Sequence, residues 1–177
     1  IDERPMVHID VSEEMTAEII SSDRDNTICF GDQVTLEAKL KRDYLTYKWS
    51  TNDTDTLINV HPMQDTTVYY LQVSNNLGCT MTDSITIYVN PLPEVDFTGL
   101  EILEKEEVCS NDEPLNMVGT PPGGIFSGPN VIGSVYYPNS AYSRGYDSVM
   151  YTYTDEKGCT NRKVRYYYVN PSPNVNW

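Results

Sequence analysis

The chain has 177 residues, with 12 Lys plus Arg against 26 Asp plus Glu and a formal net charge of -14. That balance excludes the basic clusters that a nucleic acid or an anionic membrane surface requires, and no apolar run is long enough to span a bilayer. The chain opens "IDERPMVHID", without initiator Met, basic n-region or apolar h-region, which reads as a processed product or a fragment without a signal peptide.

In chain order, the first predicted strand is Val7–Val11, with Val7, Ile9 and Val11 alternating. Residues 12–27 follow as an acidic surface insertion. The next strand carries Val34, Leu36 and Ala38 on one face. Then come Tyr47 and Trp49, Ile58 and Val60, Tyr69, Leu71 and Val73, and finally Ile85, Ile87 and Val89. Strands this short, with turns every 8–12 residues and a lone Trp on the third, predict an immunoglobulin-like β-sandwich. The second half runs through the same plan. "GTPPGG" is a loop, Phe126 takes the place of Trp49, and Val149, Tyr151 and Tyr153 form an inner face. The expected core is Leu36, Trp49, Leu71 and Val73 in one half and Leu115, Phe126, Tyr151 and Tyr153 in the other.

Fixed-period self-similarity underlies the parallel. One and the same interval separates Cys29 from Cys109, Cys79 from Cys159, and Pro91 from Pro171. "GCTMTDSITIYVNPLP" (78–93) returns as "GCTNRKVRYYYVNPSP" (158–173). "PMVHI" (5–9), "PEVDF" (93–97) and "PNVNW" (173–177) share one pattern, each read as the first strand of a domain. The fold class expected is therefore all-β: two tandem immunoglobulin-like sandwiches arranged end to end. Residues 1–91 form repeat 1, residues 92–171 form repeat 2, and residues 172–177 are the first strand of a further repeat. "VNPLP" and "VNPSP" are short, semi-rigid linkers, because proline restricts both itself and the residue before it.

The stretch "ICFGDQVTLEA … YKWSTN … DTTVYYLQVSNNLGCTMTDSITIYVNPLP" resembles the immunoglobulin-like and PKD-like repeats of Bacteroidota surface and type IX-secreted proteins, and "GTPPGGIFSGPNV … VMYTYTDEKGCTNRKVRYYYVNPSP" resembles a sister repeat type. Ser110-Asn111 stand where repeat 1 has Phe30-Gly31, and neither repeat has the acidic turn of true PKD repeats. The resemblance implies an exported, multidomain protein of the cell surface, such as a gliding or attachment adhesin. It also implies an O-glycosylation motif, Asp-Ser/Thr followed by an apolar residue or Thr, with acceptors Thr56, Thr66, Ser84 and Ser148.

Residues with catalytic potential are sparse, and no enzyme is expected. His8 and His61 read as solvent-face residues. The four cysteines lack Cys-x-x-Cys spacing or a nearby His, so they make neither a zinc site nor an activated nucleophile. No cofactor is expected. Calcium at "NDTDT" (52–56) or "SNDE" (110–113) is the alternative to a solvated acidic turn. "VRYYYVN" places Tyr166 and Tyr168 on one face and Tyr167 on the other, a candidate binding face for a glycan or protein; the competing reading is a strand packed on both sides. The leading functional reading is a spacer in an adhesin stalk or filament, whose partners are the neighbouring repeats. The alternatives are a glycan- or protein-binding module and an accessory to a secreted hydrolase. Self-repulsion of an acidic chain predicts a monomeric fragment.

An exported protein pairs its cysteines. Pairing within each repeat, Cys29–Cys79 and Cys109–Cys159, conflicts with immunoglobulin topology, which puts the two cysteines of a repeat at opposite ends of strands ~27 Å long. In an end-to-end array Cys29 instead approaches Cys159, and the mates of Cys79 and Cys109 lie in further repeats. Unpaired thiols are the third possibility.

Overall fold

The computed structural model describes residues 15–99, 107–138 and 145–171. Among them every regular element is a strand, and the chain divides into two compact units, Ile1–Asn90 and Pro91–Trp177. The predicted strand at 7–11, His8 and the residues 172–177 lie outside the described residues.

Unit 1 is a two-sheet sandwich. One sheet has the order β1 (Ile19–Ser21), β3 (Val34–Ala38), β5 (Leu57–Val60). The other has the order β2 (Thr27–Cys29), β7 (Thr80–Asn90), β6 (Thr66–Asn75), β4 (Leu45–Trp49). All pairs are antiparallel except β2 with β7. Alternation decides the inward faces: β3 reads buried at Val34, Leu36 and Ala38, and β4 at Leu45, Tyr47 and Trp49. These side chains join Ile58, Val60, Tyr69, Leu71, Val73, Ile87 and Val89 in a single core drawn from both sheets. Two polar tips of that core find backbone partners, as buried Tyr and Trp must. The Tyr47 hydroxyl donates to Leu40 O at 3.0 Å, and the indole Nε1 of Trp49 donates to Asp55 O at 2.8 Å.

One expectation is overturned. Within the predicted insertion 12–27, the described residues 15–27 are not a surface insertion. Ile19–Ser21 form an edge strand in register with Leu36–Ala38, and the Ile19 amide donates to Asp83 Oδ2 at 2.9 Å. Ala17 is buried, with Met15 and Ile19 packed on the core. The physical reason is the unpaired edge of β3, whose backbone groups need a partner strand. A three-residue edge strand with one inward apolar side chain leaves almost no alternation to read.

Unit 2 repeats the larger sheet as β12 (Ile125–Ser127), β15 (Gly145–Thr154), β16 (Thr160–Asn170), β9 (Glu107–Cys109), with β9 again parallel to its neighbour. The register itself is repeated. Thr27↔Tyr88 and Thr66↔Tyr88 in unit 1 become Glu107↔Tyr168 and Tyr146↔Tyr168 in unit 2, each displaced by the interval that separates Cys29 from Cys109. The facing layer is broken into β8 (Asp96–Thr98) with β11 (Val118–Thr120), and β10 (Leu115–Asn116) with β14 (Val135–Tyr136) and β13 (Val131–Ile132). The "PEVDF" motif thus does end in a strand, and Phe97 is fully buried.

The core of unit 2 differs from the expected one. Tyr151 is buried, but Leu115, Phe126 and Tyr153 are only partly so; Phe97, Tyr136, Val149, Tyr167 and Val169 fill the centre. Phe126 does occupy the Trp49 position, since Phe126 pairs with Tyr151 as Trp49 pairs with Leu71. It is smaller than indole, and Phe97 (centroids 5.5 Å, edge-on) and Tyr151 (4.6 Å) complete the volume. The "GTPPGG" loop lies flat on Tyr151: its hydroxyl accepts from Gly124 N at 2.8 Å and donates to Pro121 O. Asp147 is buried at the strand start, where Oδ2 accepts from Asn130 Nδ2 (2.6 Å) and the Tyr136 hydroxyl (3.0 Å), and Oδ1 from Ser148 N (2.7 Å).

Burial raises the phenol of Tyr69, and burial together with the Asp147 charge raises that of Tyr136 well above 10.0. The folded chain holds these protons more tightly than the unfolded one. The stabilisation they carry is therefore intact below about pH 10 and falls as pH rises beyond it, by up to about 1.4 kcal/mol per pH unit for each tyrosine. Urea midpoints measured from pH 8 to pH 11 should fall only over the upper part of that range. In Tyr136→Phe the part of the fall belonging to unit 2 should shrink.

Candidate functional site

Two kinds of feature stand out: four cysteine-bearing turns and the solvent face of the larger sheet in each unit. Cys29 and Cys109 each close the short parallel strand. The residue after each donates across the sheet, Phe30 N to Asn90 O and Ser110 N to Asn170 O, both at 2.9 Å. Each cysteine carbonyl then accepts from the amide three residues on, Asp32 N and Asp112 N, both at 3.0 Å. Cys79 and Cys159 each follow a tight hairpin turn. Asn75 Oδ1 accepts from Leu77 N (3.0 Å) and Cys79 N (2.9 Å), and Asp155 Oδ1 accepts from Lys157 N and Cys159 N (both 2.9 Å). Gly78 and Gly158 hold φ of 82° and 83°, a left-handed conformation that favours glycine.

Cys29 and Cys159 are disulfide-bonded, whereas Cys79 and Cys109 are free and exposed thiols. Neither intradomain bond, Cys29–Cys79 nor Cys109–Cys159, is therefore formed.

On the second feature the expectation needs one correction. Tyr167 is no part of a binding face. It is 4% exposed and packs in the core, 6.3 Å from Tyr136 between ring centroids. Tyr166 is 63% exposed and shares the outer face with Tyr168. Across the hairpin that face gains Tyr146, 81% exposed and edge-on to Tyr168 at 5.2 Å. Sequence reasoning missed Tyr146, although its position directly opposite Tyr168 follows from the hairpin register. The equivalent face of unit 1 exposes Tyr70 and Tyr88. Three of the four glycosylation candidates stand on these same faces, Thr66 opposite Tyr88, Ser84 opposite Tyr70 and Ser148 opposite Tyr166. Thr66 and Ser84 are exposed and Ser148 is half-buried; Thr56 is half-buried just before β5.

The acidic turns are occupied with their own backbone and neighbours. Asp53 Oδ2 accepts from the Thr51 hydroxyl at 2.6 Å, and Asp112 Oδ2 from Cys109 N at 2.8 Å. Among the described residues no group of three or more His, Cys, Asp or Glu is gathered as a metal site would need, and His61 is exposed. An open groove of about 400 Å³ in unit 2, lined by Met117, Val118, Pro122, Ile125, Phe126 and Tyr151, is mainly apolar. At the edge of that unit Arg165 lies 5.0 Å over the Phe97 ring and bonds Asp96 at 2.9 Å, and that hydrogen bond holds the Asp96 carboxyl below its usual range. No helix among the described residues is long and apolar enough to cross a membrane.

Residues 17–91 match the family described as Ig-like domain CHU_C associated. The chain thus contains an immunoglobulin-like repeat. The match begins at Ala17, so it takes in the edge strand β1 and leaves residues 1–16 outside. No curated protein matches the chain. Solved structures with some likeness include the Bacteroides ovatus mixed-linkage glucan utilization locus protein SGBP-B in complex with a heptasaccharide (16% identity, 81% of this chain and 42% of that one, TM-score 0.34). They also include the insect immune protein hemolin (14%, 91% and 49%, TM-score 0.38) and a Ca2+-stabilized ice-binding adhesin of an Antarctic bacterium (11%, 92% and 51%, TM-score 0.35). The chain spans about half the length of these proteins or less.

Proposed function

We propose that the chain is a pair of spacer repeats from an extracellular, multidomain surface protein, serving in an adhesin stalk or filament. The observation that carries this reading is the repetition of strand register and cysteine turns at one fixed interval, with one cysteine of each unit oxidised. Disulfides persist in oxidising compartments outside the cytosol. One oxidised cysteine lies in each unit, Cys29 and Cys159, and a staple between these two is the pairing that this reading expects. A spacer benefits from that constraint, because a proline linker alone limits bending only in part.

Peptide mapping without reductant tests the reading. The expected product is a Cys29 peptide linked to the Cys159 peptide. A Cys29 peptide linked to that of Cys79 would overturn it.

A second reading is favoured by the exposed tyrosines. Tyr146, Tyr166 and Tyr168 offer ring surface and hydroxyls on a sheet face, a combination suited to the apolar and polar faces of a sugar. The module would then bind a surface glycan. On a glycan array, reproducible binding that is lost in Tyr146→Ala and Tyr166→Ala supports it. No binding, or binding indifferent to both substitutions, rejects it. Tyr167→Ala is unsuited as a probe because it opens the core.

A further inference from the structure

In unit 2, β16 is much longer than its neighbour β9. Ser110 N donates to Asn170 O, so the backbone groups of Asn170 face β9. Residues two apart in a strand turn their backbone groups to the same side. The ladder from β16 to β15 runs without a bulge, so Arg162, Val164 and Tyr166 share that side. Among the described residues, however, β9 pairs only with Tyr168–Asn170. The Arg162 amide donates to Asn161 Oδ1 at 2.8 Å. Val164 and Tyr166 have no such cap among the described residues, and their N–H and C=O groups look out from an open sheet edge. A mainly polar groove of about 370 Å³ lies there, lined by Lys163, Val164, Arg165 and Tyr166.

That edge is cationic in an acidic chain. Of the 12 Lys and Arg in a chain of net charge -14, Arg162, Lys163 and Arg165 stand within one short stretch of β16. Arg165 is engaged with Asp96, whereas Arg162 and Lys163 are exposed and enter no ion pair among the described residues. The matching positions of unit 1 are Thr82, Asp83, Ser84 and Ile85, without a cation, and there Asp83 accepts from the Ile19 amide of β1. The two units thus share a register and differ in the charge of this edge. Edge cations repel a basic strand and a second copy of the same edge. By the same electrostatics they favour an acidic strand.

We propose that the open edge of β16 at Arg162–Tyr166 binds an extended acidic peptide, a segment of another protein, as an added strand. The Val164 and Tyr166 backbone groups supply the main-chain bonds. Carboxylates of the peptide lie beside Arg162 on one face and Lys163 on the other, and the exposed Tyr166 ring offers apolar surface to an alternate side chain.

The test titrates the full, nitrogen-15-labelled chain with a short blocked peptide of alternating Glu and Val and follows amide hydrogen exchange by NMR. Exchange at Val164 and Tyr166 should slow by about tenfold or more when the peptide is bound. The same peptide with its backbone N-methylated keeps its charge but loses its donors, and should not bind; nor should a Lys and Val peptide. Arg162→Thr combined with Lys163→Asp, the residues of unit 1, should weaken binding by about tenfold or more at an unchanged urea midpoint. Equal binding of the N-methylated peptide would mark a plain charge contact and overturn the proposal. So would binding that leaves exchange at Val164 and Tyr166 unchanged, or no binding of the acidic peptide at all. The N-methylated arm uses the unsubstituted chain, so it decides even where the double variant fails to fold.

Discussion

Trp49→Ala should cost unit 1 about 3–5 kcal/mol, the range for deleting a large aromatic from a packed core. Trp49 is 1% exposed and lies in the core that both sheets' buried side chains form. Its indole also holds a loop: Nε1 donates to Asp55 O, while the Trp49 backbone bonds Asp53 O and Asn52 N. Alanine removes the packing and leaves the Asp55 carbonyl without its donor. The measurement is chemical unfolding of the whole chain followed by far-ultraviolet circular dichroism, in which the unit 1 transition should move to lower denaturant. A loss under about 1 kcal/mol would mean that β4 does not cross the core.

The second large effect is expected at Gly119→Ala in unit 2. A Cβ built at Gly119 would lie 2.0 Å from the Tyr151 ring. That ring is 1% exposed and its hydroxyl is tied at both Pro121 and Gly124, so it has no rotamer to retreat to. Overpacking of a filled core costs about 1–3 kcal/mol, and the tethered ring puts this site at the upper end. Combining the change with Tyr151→Leu should give a total loss smaller than the sum of the two single losses, because the shorter side chain frees the space that the new methyl needs. Strict additivity in unfolding experiments would contradict the steric account.

Residue alternation was enough to determine which side of most long strands faces inward. The pairs Val34 and Leu36, Tyr47 and Trp49, and Leu71 and Val73 are buried as their spacing requires, because successive side chains of a strand point to opposite faces. The fixed period of the sequence likewise foretold the repeated register. Three matters were left to the tertiary structure. The edge strand β1 of unit 1 is one: it is three residues long, and only the open edge of β3 selects Ile19–Ser21 for pairing. The tyrosine run 166–168 is another. Its parity is legible, but with the same residue at all three positions, only the opposing layer, through Tyr136, makes Tyr167 the inward one. The third is the oxidation state of the cysteines. Cys29 and Cys109 occupy matching turns, as do Cys79 and Cys159, yet one of each pair is oxidised and the other free. Matching local sequence cannot distinguish them, because a disulfide forms only where a second cysteine comes within about 7 Å, and that depends on what the rest of the fold brings near.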